Sequence, residues 1–263
     1  VSLKSLLMPA ISQHLLSLKR LQRLRSRAER VRVRQGLPHE LHYFHQVDDP
    51  YSALAAASLP RLLARYCLVL KAHVVGPPSA AAAPERERLI SHSRVDAQRL
   101  ARHWGLEFMD PGAQPPAAAQ QLAAAQLVAA IDANRFAECA ADVSAALWSG
   151  GSPAASLPAA SANAVAQHMA ASEQLRSRLG HYLGATFFYG GEWYWGIDRL
   201  YHLEQRLQEL GVQRAGVSGH LFPLEPDLVQ ATPITPAAPI EFFFLCAARI
   251  QRLWPSACLR WVA

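Results

Sequence analysis

The stretch from Val47 to Ala57, V-D-D-P-Y-S-A-L-A-A-A, sets two carboxylates, a proline, a tyrosine and a serine side by side. Carboxylates where a strand turns into a helix can exchange protons with a ligand held at the helix end. The same residues also make a plain helix start. Asp49 suits the N-cap, and Pro50 the first helical position, where its missing N–H costs nothing. His45, just before the turn, reads either as an acid–base partner of Asp49 or as a polar residue bonded to backbone, the second being the simpler. His39, His42 and His45 share one strand, but His42 points to the face opposite the other two, and no H-E-x-x-H spacing occurs, so no metal site is expected. Cys67, Cys139, Cys246 and Cys258 contain no C-x-x-C pair, which excludes the usual dithiol motif and fits a reducing, cytoplasmic setting. Cys67 and Cys139 lie in apolar patterns and read as buried small hydrophobes.

These residues need elements to hold them. E-L-H-Y-F-H-Q alternates as a strand, D-P-Y-S-A-L-A-A-A-S-L-P-R-L-L-A-R-Y reads as a helix that Pro60 kinks or divides, and C-L-V-L-K-A-H-V-V is a second strand stopped by Gly76 and Pro77. Strand, helix, strand predicts a right-handed βαβ unit. From about residue 80 to 180 the pattern is helical throughout, too long for one crossover, and reads as an inserted helical subdomain. A-T-F-F-Y-G-G-E-W-Y-W-G then gives a hairpin, and I-D-R-L-Y-H-L-E-Q-R-L-Q-E-L-G an amphipathic helix. The sum is an α/β chain, βαβ then ββα, with a large all-helical insertion: a thioredoxin-like arrangement.

Charge is uneven. Residues 1–38 hold nine Lys and Arg against Glu29 alone, a balance of +8 in a chain whose total is +6. Leu15, Leu18, Leu21 and Leu24 recur there at helical spacing, predicting a basic N-terminal helix. It either docks its leucines on its own domain, the blander reading, or meets an anionic membrane face or acidic partner. No aromatic interleaving accompanies it, so no nucleic acid is expected. No run of some eighteen apolar residues occurs, so no transmembrane segment is expected, and the weak apolar start does not read as a secretory signal.

At this point L-H-Y-F-H-Q-V-D-D-P-Y-S-A-L-A-A resembles the strand, S-P-Y-S, helix opening of kappa-class glutathione transferases and bacterial 2-hydroxychromene-2-carboxylate isomerases, in the DsbA-like thioredoxin superfamily. G-A-T-F-F-Y-G-G-E-W-Y-W-G-I-D-R-L resembles the closing segment of the same family. The likeness spans roughly residues 40 to 212. It implies a thioredoxin-like domain over 39–79 and 181–212 with the insertion at 80–180. It also implies glutathione bound beside the first helix, its thiolate stabilised by the helix amides and a serine hydroxyl. Asp49 stands at that serine's position and Ser52 at the second serine of the motif. An ionised aspartate accepts hydrogen bonds and cannot donate to a thiolate. Ala185 replaces the cis-proline of the family. A cis bond before alanine costs about 3 kcal/mol, so a trans bond and an altered loop are expected.

The resemblance implies further that Asp198 receives the glutamyl amino group and caps the last helix, that Pro50, Tyr51 and Ser52 orient a small thiol or aromatic-acid ligand, and that Gly184 and Ala185 give backbone contacts. With Asp49 as acid or base, the resemblance implies a glutathione-dependent isomerase or transferase. The alternative is a catalytically degenerate module that pairs with a second thioredoxin-like domain or with another copy of itself in a homo-oligomer.

The chain end adds one expectation. After a Pro-rich linker at 213–239, I-E-F-F-F opens what looks like a second domain of the same kind. For Cys246 to Ala263, permitted codons read two bases on give R-S-P-Y-S-A-A-M-A-E-R-V, the serine motif again. Residues 240–263 thus read as the start of a tandem copy, cut by a frameshift near 245; the encoding DNA tests this directly.

Overall fold

The structure, a computed structural model, describes residues 17–150 and 157–223. The apolar start before Ser17, the linker beyond residue 223 and the stretch read as a frameshifted second domain lie outside the described residues.

Helix α1 spans Leu18–Arg34, with Ser17 as N-cap. It is followed by β1 (Glu40–Gln46), α2 (Pro50–Arg65) and β2 (Val69–Val75). Four helices come next: α3 (Arg86–Trp104), α4 (Ala117–Asp132), α5 (Phe136–Trp148) and α6 (Ala162–Leu179). The chain then returns as β3 (Thr186–Tyr189), β4 (Glu192–Trp195), a 3₁₀ turn (Ile197–Arg199) and α7 (Leu200–Glu209). The sheet order is β2-β1-β3-β4. β1 and β2 run parallel with Glu40 opposite Val69, and β3 is antiparallel to both β1 and β4. This is the expected α/β arrangement, a mixed four-stranded sheet with a helical insertion. The hairpin closes on Gly190 and Gly191, both at positive φ as a two-residue turn of this kind demands.

Alternation along β1 puts Leu41 and Tyr43 on the face that receives α2. There Leu54, Leu59 and Leu62 are fully buried, each side chain contributing roughly 1.5–3 kcal/mol. α5 packs against α2 and α6 against β2, where His168 Nε2 accepts from the Val74 amide at 3.2 Å. Glu204 on α7 is buried outright. It accepts from the Tyr66 hydroxyl at 3.0 Å and from the Leu221 and Phe222 amides at 2.8 and 3.1 Å, with Arg65 at 3.7 Å.

Several expectations are corrected. Pro60 does not divide α2: the helix runs through it to Arg65, with Pro60 on its exposed side. The alanine-rich stretch forms two helices, α4 and α5, broken where Asn134 takes φ 55°; Asn tolerates that left-handed region better than most residues. Cys67 is exposed and Cys139 intermediate, because Cys67 precedes β2 in the connection rather than within it. Of the leucines of α1 only Leu21 turns toward the domain, half-buried, while Leu18 and Leu24 are exposed; no residue of the helix is fully buried. It is held instead by charge, Arg25 clasping Glu192 with two bonds of 2.9 Å while Arg206 meets the same carboxylate at 2.8 Å.

Candidate functional site

The turn between β1 and α2 forms because Asp49 caps the helix. Its Oδ1 accepts from the Tyr51 amide at 3.3 Å and its Oδ2 from the Ser52 amide at 3.1 Å. Ser52 Oγ then donates to Oδ2 at 2.8 Å. The same Oγ accepts from the Gln46 amide at 3.1 Å and from the Ala185 amide at 2.9 Å. A hydroxyl has one proton and two lone pairs, so Ser52 is fully used. It is also fully buried, which makes it a joint between β1, α2 and the approach to β3 rather than a free ligand-orienting group.

Ala185 adopts φ 51°, and among the described residues no peptide bond is cis, as expected of a chain with alanine here. Gly184 packs against the joint. A Cβ there would collide with the Gln46 side chain and press on Ser52 Oγ at 3.1 Å. Gly184, Asp49, Pro50 and Tyr51 line a small cavity of about 50 Å³ together with Arg86 and Trp195. Ser52 and Ala185 lie behind its wall and do not line it.

Asp198 is not part of this lining. It lies in the 3₁₀ turn and does not cap α7, whose N-cap is Arg199, because the turn inserts before the helix begins. It is half-exposed, 3.6 Å from the Arg199 guanidinium, and partial desolvation raises its pKa against the pull of that neighbour. His45 does not reach the cavity either. It is buried against Tyr43, whose hydroxyl spends its proton on the Ser52 carbonyl at 2.8 Å. His45 Nδ1–H therefore donates to that hydroxyl at 3.0 Å, and burial drives the imidazole down to about 3, keeping it neutral.

The electrostatics of Asp49 differ from the sequence expectation. Burial pushes its carboxyl up to about 7, against the hydrogen bonds from Ser52 and the Tyr51 amide that favour the anion. Near neutral pH the group is therefore present in both forms, and its acid form can donate. Because the folded-state value lies above the ordinary one, the folded protein binds more protons between the two. Stability is thus fully present below about 4 and falls as pH rises to about 7. Asp49→Asn removes this dependence. The stability of the wild type relative to Asp49→Asn is expected to fall between pH 4 and 7 and stay flat above, as measured by urea unfolding across pH. A flat difference throughout would refute the raised value.

Two contributors were missed in the sequence. Asp96 on α3 accepts from the Tyr51 hydroxyl at 2.8 Å, and Tyr51 also meets the edge of Trp195. Burial and this carboxylate both raise the tyrosine's pKa. Arg86, the first residue of α3, lies 3.6 Å from Asp48 Oδ2. A cation at a helix N-terminus opposes the helix dipole, and that misfit was the signal available for it. Arg86, Asp48 and Pro77 also border a second, larger cavity of about 860 Å³ between α4 and α6, whose walls include Leu122, Val165 and Met169. Among the described residues no group of three His, Cys, Asp or Glu side chains is arranged to hold a metal ion. No helix among them is long and apolar enough to cross a membrane.

Neither a protein-family model nor a curated protein matches the chain. Six chains of solved structures do, among them a selenomethionine form of 2-hydroxychromene-2-carboxylate isomerase. That match has a TM-score of 0.50 and 20% identity, covering 65% of this chain and 96% of the other. At this identity the likeness speaks for the fold. It joins the strand order, the inserted helices and the turn at Asp49 to one conclusion: this chain has the DsbA-like thioredoxin fold also found in that isomerase.

Proposed function

We propose that the cavity at Asp49 binds a small thiol, glutathione being the one the resemblance implies, and serves an isomerase- or transferase-type reaction in which Asp49 is the acid–base group. The observation that carries this reading is a carboxyl at the rim of a narrow slot beside a roomy apolar cavity, its pKa pushed up to about 7 by burial. A catalytic acid–base group works best when its pKa is close to the working pH.

In its neutral form Asp49 donates a hydrogen bond to the sulfur of the incoming ligand, the role a serine hydroxyl plays; in its anionic form it has no proton to give and serves only as a base in the chemical step. The slot of about 50 Å³ suits a thiol group rather than a whole tripeptide. The larger cavity has room for an apolar or aromatic body, and Arg86 between the two is placed to meet a carboxylate. Asp198, outside the slot, remains within reach of a longer ligand crossing Tyr51 and Trp195.

The second reading, a degenerate module used for pairing, is favoured by one specific fact: the Asp49 carboxylate itself accepts from the helix amides that would otherwise face a thiolate. Calorimetry with reduced glutathione separates the two. Binding is expected at pH 6 and several-fold weaker at pH 8, where ionised Asp49 repels a thiolate. Asp49→Ser is expected to restore binding at pH 8. No binding at millimolar ligand by either form at either pH would leave only the degenerate module.

A further inference from the structure

We propose that helix α1 is a docking surface for an anionic phospholipid bilayer. The candidate site does not use this helix, and its two sides differ in kind. Toward the domain it turns Leu21, Arg25 and Glu29, with Arg25 bound to Glu192 and 3.6 Å from Glu209, and Glu29 bound by Arg32 at 2.6 Å. Away from the domain, Lys19, Arg23, Arg27, Arg30 and Arg34 follow one another at steps of four, four, three and four residues, which places them on one face over roughly 22 Å of helix. All five are exposed. The only acid in the helix, Glu29, is on the other side.

Beside this cationic row lie Leu24 and Val31, seven residues apart and therefore also on one line, 51% and 43% exposed. Exposed Leu18 begins the helix. A cationic face bordered by exposed aliphatic side chains is the composition of a helix lying in the headgroup region of a bilayer. The cations meet lipid phosphates and the aliphatic groups enter the acyl boundary. A nucleic acid would use the cations but leave Leu24 and Val31 without a role, and α1 carries no aromatic residue on which a base could stack. Because Arg25 pins the helix from behind, the row is presented as a preformed surface.

The test is co-sedimentation of the full chain with vesicles of phosphatidylcholine, alone or with about 30% phosphatidylglycerol, in about 0.1 M salt. Binding to the anionic vesicles only, released at about 0.5 M salt, is expected. Replacing Arg23, Arg27, Arg30 and Arg34 together by Gln is expected to weaken binding by about 100-fold or more, since each cation near a charged membrane contributes appreciably. The pair Leu24→Gln and Val31→Gln is expected to weaken it about tenfold with every charge retained. Circular dichroism of each variant verifies that the helix persists, and salt release of the wild type needs no variant. Three results would each overturn the proposal: equal binding to neutral vesicles, no binding to anionic ones, or vesicle binding untouched by the aliphatic pair while duplex DNA binds as tightly.

Discussion

Ala185→Pro, which puts back the residue the resemblance leads one to expect, is expected to destabilise the protein by about 3 kcal/mol or more. The reason is local. Proline holds φ near −65°, whereas residue 185 sits at 51°. Proline also has no N–H, so the 2.9 Å bond to Ser52 Oγ is lost inside a region where both partners are fully buried. The loop before β3 would have to be rebuilt to accept it, and Gly184 leaves no space for rebuilding, since any atom added at its Cβ position meets Gln46. Ala185→Gly is the control: it keeps the N–H and tolerates the positive φ, and is expected to change stability by no more than about 1 kcal/mol. Urea unfolding of the three proteins measures this. A proline variant as stable as the wild type would mean that the loop takes up a different path.

Glu204→Ala is expected to cost about 3–5 kcal/mol. The carboxylate is wholly inaccessible, and its removal leaves the Leu221 and Phe222 amides and the Tyr66 hydroxyl without acceptors. Phe222, whose ring meets Trp104 edge-on, is then free to leave the core. The variant should therefore show both a lower unfolding midpoint and new proteolytic cleavage near Leu221. Glu204→Gln retains one acceptor oxygen and should lose less. If Glu204→Ala matched the wild type in midpoint and in protease resistance, this carboxylate would not be what holds the 221–222 segment.

The strands, helix α2 and the hairpin were legible in the sequence because each rests on local chemistry: alternation in L-H-Y-F-H-Q, an Asp-Pro start, a Gly-Gly turn. The position of the candidate site was legible for the same reason, since Asp49, Pro50 and Tyr51 are consecutive. What the sequence did not reveal depends on long-range packing. The raised carboxyl of Asp49 comes from what covers it, and no spacing encodes that. The family resemblance makes Ser52 a ligand-orienting group; only its three partners expose it as a joint. Arg86 and Asp96 come from the inserted helix α3, at separations no local pattern reports, and Asp198 was displaced from its cap by a 3₁₀ turn that no residue type signals.

The Ser52 oxygen joins residues 6 and 133 positions away in the chain to its own helix. A wall of the cleft therefore cannot swing out by itself: the end of β1, the first turn of α2 and the approach to β3 separate together or not at all. Breathing of the cleft is thus a collective opening, rarer than the motion of an ordinary surface loop. The Gln46 and Ala185 amides, far apart in the chain, are therefore expected to show similar protection against hydrogen exchange.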